Sequence, residues 1–214
     1  MRAEDAAAAA AAGAHAIGLV FHSWSGRCVS LDVARKIIAA LPPLVTPVGL
    51  FVDSSASEIL NTVSTLGLRT VQLHGAETPE LVAQLERLTI LKAVRADRRT
   101  LASSLELWRQ AHRELPPGRF AGILLETAAT CDPGGTGVEN DWAFLESAVR
   151  DNLFAGLPPV IVAGGLTPTN VGDVVRRLRP YAVDVSSGIE ETRGIKSVAK
   201  MRAFTDAVAD ADRD

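Results

Sequence analysis

Two short apolar runs near the C-terminal end of the chain finish in the small residues that can hold a phosphoryl group. Residues 160–166 read VIVAGGL and residues 182–190 read AVDVSSGIE. Each is a strand-forming stretch that ends in glycine or serine and hands over to a helical pattern. Gly164, Gly165, Ser186, Ser187 and Gly188 can turn their backbone N–H groups outward, and two such turns side by side cradle one phosphate. Glycine lets the backbone approach the anion closely, and a helix starting near Thr167 adds its positive end. Asp184, between the two turns, either orients a sugar hydroxyl or fixes the local turn. Barrels of eight βα units recurrently bind phosphate after their last two strands. The pattern points to a phosphorylated small molecule.

Further candidates are titratable side chains at the ends of other apolar runs. Glu126 closes FAGILLE, at the rim where a barrel places its chemistry. A carboxyl there can donate a proton, or it can simply pair with a neighbouring base. His74 follows VQL and either lines a substrate or caps the strand; Lys92 sits in LKAV. Arg27, in SGRCV, has a planar fork suited to a carboxylate, against the alternative of a surface arginine. Cys131 lies in the Gly-rich stretch TCDPGGTGV, where Gly134, Gly135 and Gly137 would let a long loop fold over a substrate. Trp142 reads as packing, and His15, His22 and His112 gain no role from their contexts.

These residues need a scaffold that brings strand ends together. Strand patterns fall at 15–21, 46–52, 70–74, 90–94, 120–126, 159–163 and 181–186, mostly as continuous apolar runs, as expected of parallel strands covered by helices. Between them lie amphipathic helices at 30–41, 55–66, 78–88, 98–113, 141–153 and 167–178, with a last one at 195–209. Ser30 reads as an N-cap, Gly67 as a stop, and Thr-Pro starts open the helices at 78 and 167. The chain opens with the Ala-rich run MRAEDAAAAAAAGAH, read as a helix ending at Gly13; its early acids and lack of leucine argue against a signal peptide. The α/β alternation predicts a single domain over 1–214, a (βα)8 TIM barrel apparently lacking strand 1. Seven strands in place of eight would leave two raw edges. Either the true start lies upstream of Met1 or the fold compensates.

Composition narrows the function. A net charge of −3 over 214 residues leaves no footprint for nucleic acid, and no apolar stretch is long enough for a membrane span. Two cysteines are too few for a disulfide framework or a zinc site. No Rossmann glycine pattern, P-loop or metal-ligand cluster occurs, so neither metal nor organic cofactor is expected. The resulting picture is a cytoplasmic protein, monomer or homodimer, acting on a small molecule.

The sequence pieces AGAHAIGLVF, SGRCVS, GLFV, VQLHG, LKAV, LLET, GGTG followed by DW, VAGGL and VDVSSGIE together resemble the phosphoribosylanthranilate isomerase family. The resemblance covers almost the whole chain, in order and spacing. It implies an Amadori rearrangement of N-(5′-phosphoribosyl)anthranilate in tryptophan biosynthesis, with Glu126 as the acid at the ring oxygen. It also implies Arg27 as the grip on the anthranilate end, His74 as substrate-lining and Lys92 as support for carboxylates. Three departures stand out. Family members begin with a KICG-type strand whose cysteine is the general base, and this chain starts just after it; Cys131, Lys92 and His74 are the remaining candidates. The family also has aspartate where Glu126 stands, and proline where Gly26 stands. A non-catalytic phosphosugar-binding homologue is the alternative, and another phosphate-binding barrel enzyme, such as a thiamine phosphate synthase, a third.

Overall fold

The computed structural model describes residues 2–126 and 141–213. Seven strands pair in chain order, all in parallel: β1 (Ala16–Val20), β2 (Thr46–Phe51), β3 (Thr70–Leu73), β4 (Thr89–Arg95), β5 (Phe120–Glu126), β6 (Val160–Val162) and β7 (Ala182–Val183). The helices are α1 (Ala3–Ala11), α2 (Leu31–Ala39), α3 (Ala56–Leu66), α4 (Pro79–Gln84), α5 (Leu101–Glu114), α6 (Trp142–Arg150), α7 (Val171–Leu178) and α8 (Val198–Asp212). Continuous apolar strands give continuous burial: Ile123, Leu124 and Leu125 of β5 are all at most 2% exposed, because helices cover one face and neighbouring side chains the other.

Short polar signals set the helix ends. The Ser30 hydroxyl accepts from the Val33 N–H, and Asp141 and Ser197 do the same for α6 and α8. At α3 the cap is reciprocal, with Ser55 taking the Glu58 N–H and the Glu58 carboxylate taking the Ser55 N–H at 2.8 Å. Gly67 then stops the helix in the left-handed region, at φ +69°. Ser55→Ala is expected to cost about 1 kcal/mol. A thermal melt should fall by about 2–4 °C.

Two elements differ from the sequence-based expectation. Pro79 does open α4, at its first position. The similar Thr167-Pro168 does not open α7, which begins at Val171. There the Asn170 side chain accepts from the Thr167 N–H at 2.8 Å and donates to the Gly165 carbonyl at 3.0 Å, holding 167–170 as a turn. The segment expected to begin the last helix at 195 instead forms a hairpin: β8 (Glu190–Thr192) pairs antiparallel with β9 (Ile195–Lys196), after a single 3₁₀ turn over Ser187–Ile189.

Among the described residues, β1 pairs only with β2 and β7 only with β6 along the main sheet, so the arc keeps two borders. The loop after β1 returns to it, with Cys28 bridging Val20 and the Val29 N–H donating to the Val20 carbonyl. The helical layer is more continuous than the sheet: α8 packs on α7 and on α1, and α1 on α2.

Candidate active site

The C-terminal ends of the strands surround a concavity of about 720 Å³, counting the solvent in its mouth. Its lining includes Arg27 after β1, Gln72 and His74 at the end of β3, and Glu126 at the end of β5. Gly164 and Gly165 come from the loop after β6, and Asp184, Ser186 and Ser187 from the segment after β7. Gly188, the fifth residue of the expected cradle, backs onto the loop after β6: a Cβ built there would stand 1.8 Å from the Leu166 carbonyl oxygen. Only a glycine lets the two turns touch in this way. Gly164 and Gly165 take φ of +88° and +66°. The helix dipole invoked from Thr167 does not begin there, since α7 starts later.

Glu126 meets His74 across the pocket, with Oε2 2.5 Å from Nε2. The Gln72 amide nitrogen lies 2.7 Å from His74 Nδ1. With the amide donating to Nδ1, the ring proton sits on Nε2 and points at the Glu126 carboxylate. Gln72 was not singled out from sequence. Its spacing from His74 is the available signal, because residues two apart on a strand face the same side. His22, to which the sequence assigns no role, also lines the pocket.

Asp184 opens onto the same pocket but is hemmed in by protein. That desolvation raises its pKa, and the nearby Glu126 adds to it, while His74 and Lys196 oppose. Two carboxyls therefore face one pocket in unlike surroundings.

Arg27 is buried, and its fork is engaged. Nε donates to Glu190 Oε1 at 2.7 Å and the terminal NH2 group to Oε2 at 2.8 Å. Glu190 also accepts from Lys196 at 3.2 Å. Neither partner was foreseen. Burial disfavours the Glu190 carboxylate, but the bonds from Arg27 and the Lys196 charge overcome this and bring its pKa down to about 2. A depressed carboxylate stabilises the fold fully above its ordinary pKa of 4.5, and the contribution is lost as pH falls through about 2. Glu190→Gln should lower the melting temperature at pH 7, and the deficit should shrink in melts taken from pH 4.5 towards 2. A deficit unchanged by pH would contradict this.

Lys92 does not line the pocket. Its ammonium donates to the Gly75 carbonyl at 2.8 Å and to Glu77 Oε2 at 3.0 Å. Glu77 accepts in turn from the N–H groups of Asp53 and Gly75. Burial lowers the Lys92 pKa and Glu77 opposes the shift. Lys92 thus braces the turn that carries His74 and is removed from the candidates for a base. Cys131, Gly134, Gly135 and Gly137 lie outside the described residues. Trp142 packs against the core at the start of α6. Among the described residues no cluster of histidine, cysteine and acids could hold a metal ion.

Known proteins resemble this chain along nearly its whole length. The family model described as N-(5′-phosphoribosyl)anthranilate (PRA) isomerase matches residues 1–207. The N-(5′-phosphoribosyl)anthranilate isomerase of Pseudomonas paraeruginosa is 47% identical over 213 residues, covering 100% of this chain and 93% of the relative. The crystal structure of phosphoribosyl anthranilate isomerase from Thermotoga maritima superposes with a TM-score of 0.83 at 33% identity, over 98% of this chain and 95% of that one. Another structure of the isomerase, in complex with reduced 1-(o-carboxyphenylamino)-1-deoxyribulose 5-phosphate, gives a TM-score of 0.80 at 34% identity, over 98% and 94% of the two chains. Matched nearly end to end in sequence and in the course of its seven parallel strands, the chain belongs to the phosphoribosylanthranilate isomerase family.

Proposed function

We propose that the chain converts N-(5′-phosphoribosyl)anthranilate into 1-(2-carboxyphenylamino)-1-deoxyribulose 5-phosphate, in tryptophan biosynthesis. Within the molecule, one observation carries the reading: a single pocket holds the paired glycine and serine turns, the Glu126–His74 pair and the guanidinium of Arg27. A phosphorylated sugar bearing an aromatic acid presents matching groups, a phosphate at one end and a carboxylate at the other.

The reaction opens the ribose ring and moves hydrogen between neighbouring carbons. Breaking the C1′–O4′ bond requires a proton on O4′. A base then takes the C2′ proton, giving an enolamine; a proton is returned at C1′ while the C2′ hydroxyl gives up its own, leaving the ketone, so the product is an isomer of the substrate. In this reading Glu126 enters as the carboxylic acid and delivers its own proton to O4′, while the His74 Nε2–H holds the carboxylate left behind. Asp184, in the same pocket, orients the ribose hydroxyls. Gly164, Gly165, Ser186, Ser187 and Gly188 receive the phosphate on their N–H groups, and Arg27 faces the anthranilate carboxylate, as charge-assisted hydrogen bonding favours. We include a cytoplasmic location in the proposal, on the strength of the pathway.

No helix of the described residues is long and apolar enough to cross a membrane. The test is a time course of anthranilate fluorescence with N-(5′-phosphoribosyl)anthranilate as substrate. A fall that scales with protein concentration is expected. A flat trace, with the reduced product analogue still binding, would replace the enzyme by a phosphosugar-binding homologue.

A further inference from the structure

Arg27 and the phosphate turn stand at opposite borders of the sheet, and one buried ammonium reaches towards both. Lys196, on β9, is 10% exposed and does not line the pocket. Its Nζ donates to the Ser186 carbonyl at 2.7 Å and to Glu190 Oε1 at 3.2 Å. The Glu190 carboxylate holds Arg27 by two bonds. A continuous path therefore runs from the turn after β7, through Lys196 and Glu190, to the arginine after β1. It crosses the border where, among the described residues, no backbone ladder joins the two strands.

The path holds two cations and one anion, each with little exposure. Burial lowers the Lys196 pKa, and the Glu190 charge works against that shift. Glu190 already has a full partner in Arg27, so charge balance does not call for Lys196. What Lys196 adds is a bond to a main-chain carbonyl within the phosphate turn.

We propose that Lys196 is a positioning residue that couples the two ends of the binding site, fixing the span between the phosphate turn and Arg27. An aromatic carboxylate then gains the full benefit of Arg27 only when the phosphate turn is held in register with it. The assignment of ligand groups to the two ends rests on the isomerase reading above.

The test is a cycle on the full chain, using two ligands and two proteins. The ligands are the reduced product analogue, 1-(o-carboxyphenylamino)-1-deoxyribulose 5-phosphate in reduced form, and the same molecule without its aryl carboxylate. The proteins are the unaltered chain and Lys196→Met, which fills the same space without bonding and leaves Arg27 and Glu190 paired. Binding is measured by calorimetry, with a thermal melt for each protein. In the unaltered chain the carboxylate should strengthen binding. In the variant that gain should fall by about tenfold, although Lys196 stands behind the pocket wall; this is the scale of coupling within one hydrogen-bonded network. Should the methionine variant not fold, Lys196→Gln, which keeps a donor, serves in its place, with a smaller fall in the gain expected.

Equal weakening of both ligands would overturn the coupling, since general loosening or a role at the phosphate alone would produce it. Turnover would be unaffected by that result and the isomerase reading would stand. Failure of both ligands to bind the unaltered chain, together with absent turnover, would overturn both.

Discussion

Replacing Glu126 by glutamine is expected to lower kcat by about 10²- to 10⁴-fold, the usual worth of a positioned acid or base. The carboxamide has nearly the same volume, and its oxygen can still accept the hydrogen bond that His74 Nε2 makes to Glu126 Oε2 at 2.5 Å. The frame around it persists, with Gln72 still on His74 Nδ1. Only the capacity to give up a proton is removed, so KM and the thermal melt should change little. Glu126→Asp is the informative companion. It withdraws the carboxyl by about one C–C bond, near 1.5 Å, and breaks the contact with His74. A displacement on the order of 1 Å can cost about 10²-fold, so the aspartate variant should not keep full activity here. Steady-state fluorescence kinetics on the three proteins would decide; a glutamine variant within a few-fold of the parent would remove Glu126 from the chemistry.

Gly188→Ala should be nearly as damaging, for a steric reason. The added Cβ would meet the Leu166 oxygen at 1.8 Å and its carbonyl carbon at 2.9 Å. Both are backbone atoms, so no side chain can swing aside and the two loops must part. Overpacking of this kind typically costs about 1–3 kcal/mol, visible as a lower melting temperature. The larger effect falls on function, because parted loops cannot aim their N–H groups at one phosphate. A loss of about 10²-fold in kcat/KM is expected, by the same sensitivity to placement. A variant that melts lower yet keeps kcat/KM within threefold would show that the cradle does not depend on this contact.

The strands and the adjoining turns after β6 and β7 were legible in the sequence because their signals are local. The run at 120–126 coincides with β5 (Phe120–Glu126), since six consecutive non-polar residues ending in a carboxylate mark a strand buried on both faces up to its rim. The cradle glycines are neighbours in sequence before they are neighbours in space. The start of α7 was misread because Thr-Pro marks a first turn at Pro79 but a tighter loop at Pro168. Asn170 decides the second case, with a side chain that ties Thr167 to Gly165.

The hairpin of β8 and β9 was hidden for a different reason. EETRGIK is short and polar, and nothing in it betrays that Glu190 will meet Arg27, 163 positions away. Buried ion pairs between distant residues leave no period to read. Lys196 and Glu190 look like surface charges until the fold closes over them.

The borders of the sheet bear on how stiffly the rim of the pocket is held. A closed cylinder of strands resists spreading through an unbroken hoop of backbone hydrogen bonds. A split cylinder puts that tension into whatever spans the slit. On the pocket side, the span includes a guanidinium and a carboxylate, with an ammonium behind them. The aperture of this rim is thus clamped by charge where a complete ring would use the main chain, and a pair this deeply buried is shielded from salt far better than a surface pair. Added salt is therefore expected to loosen it little.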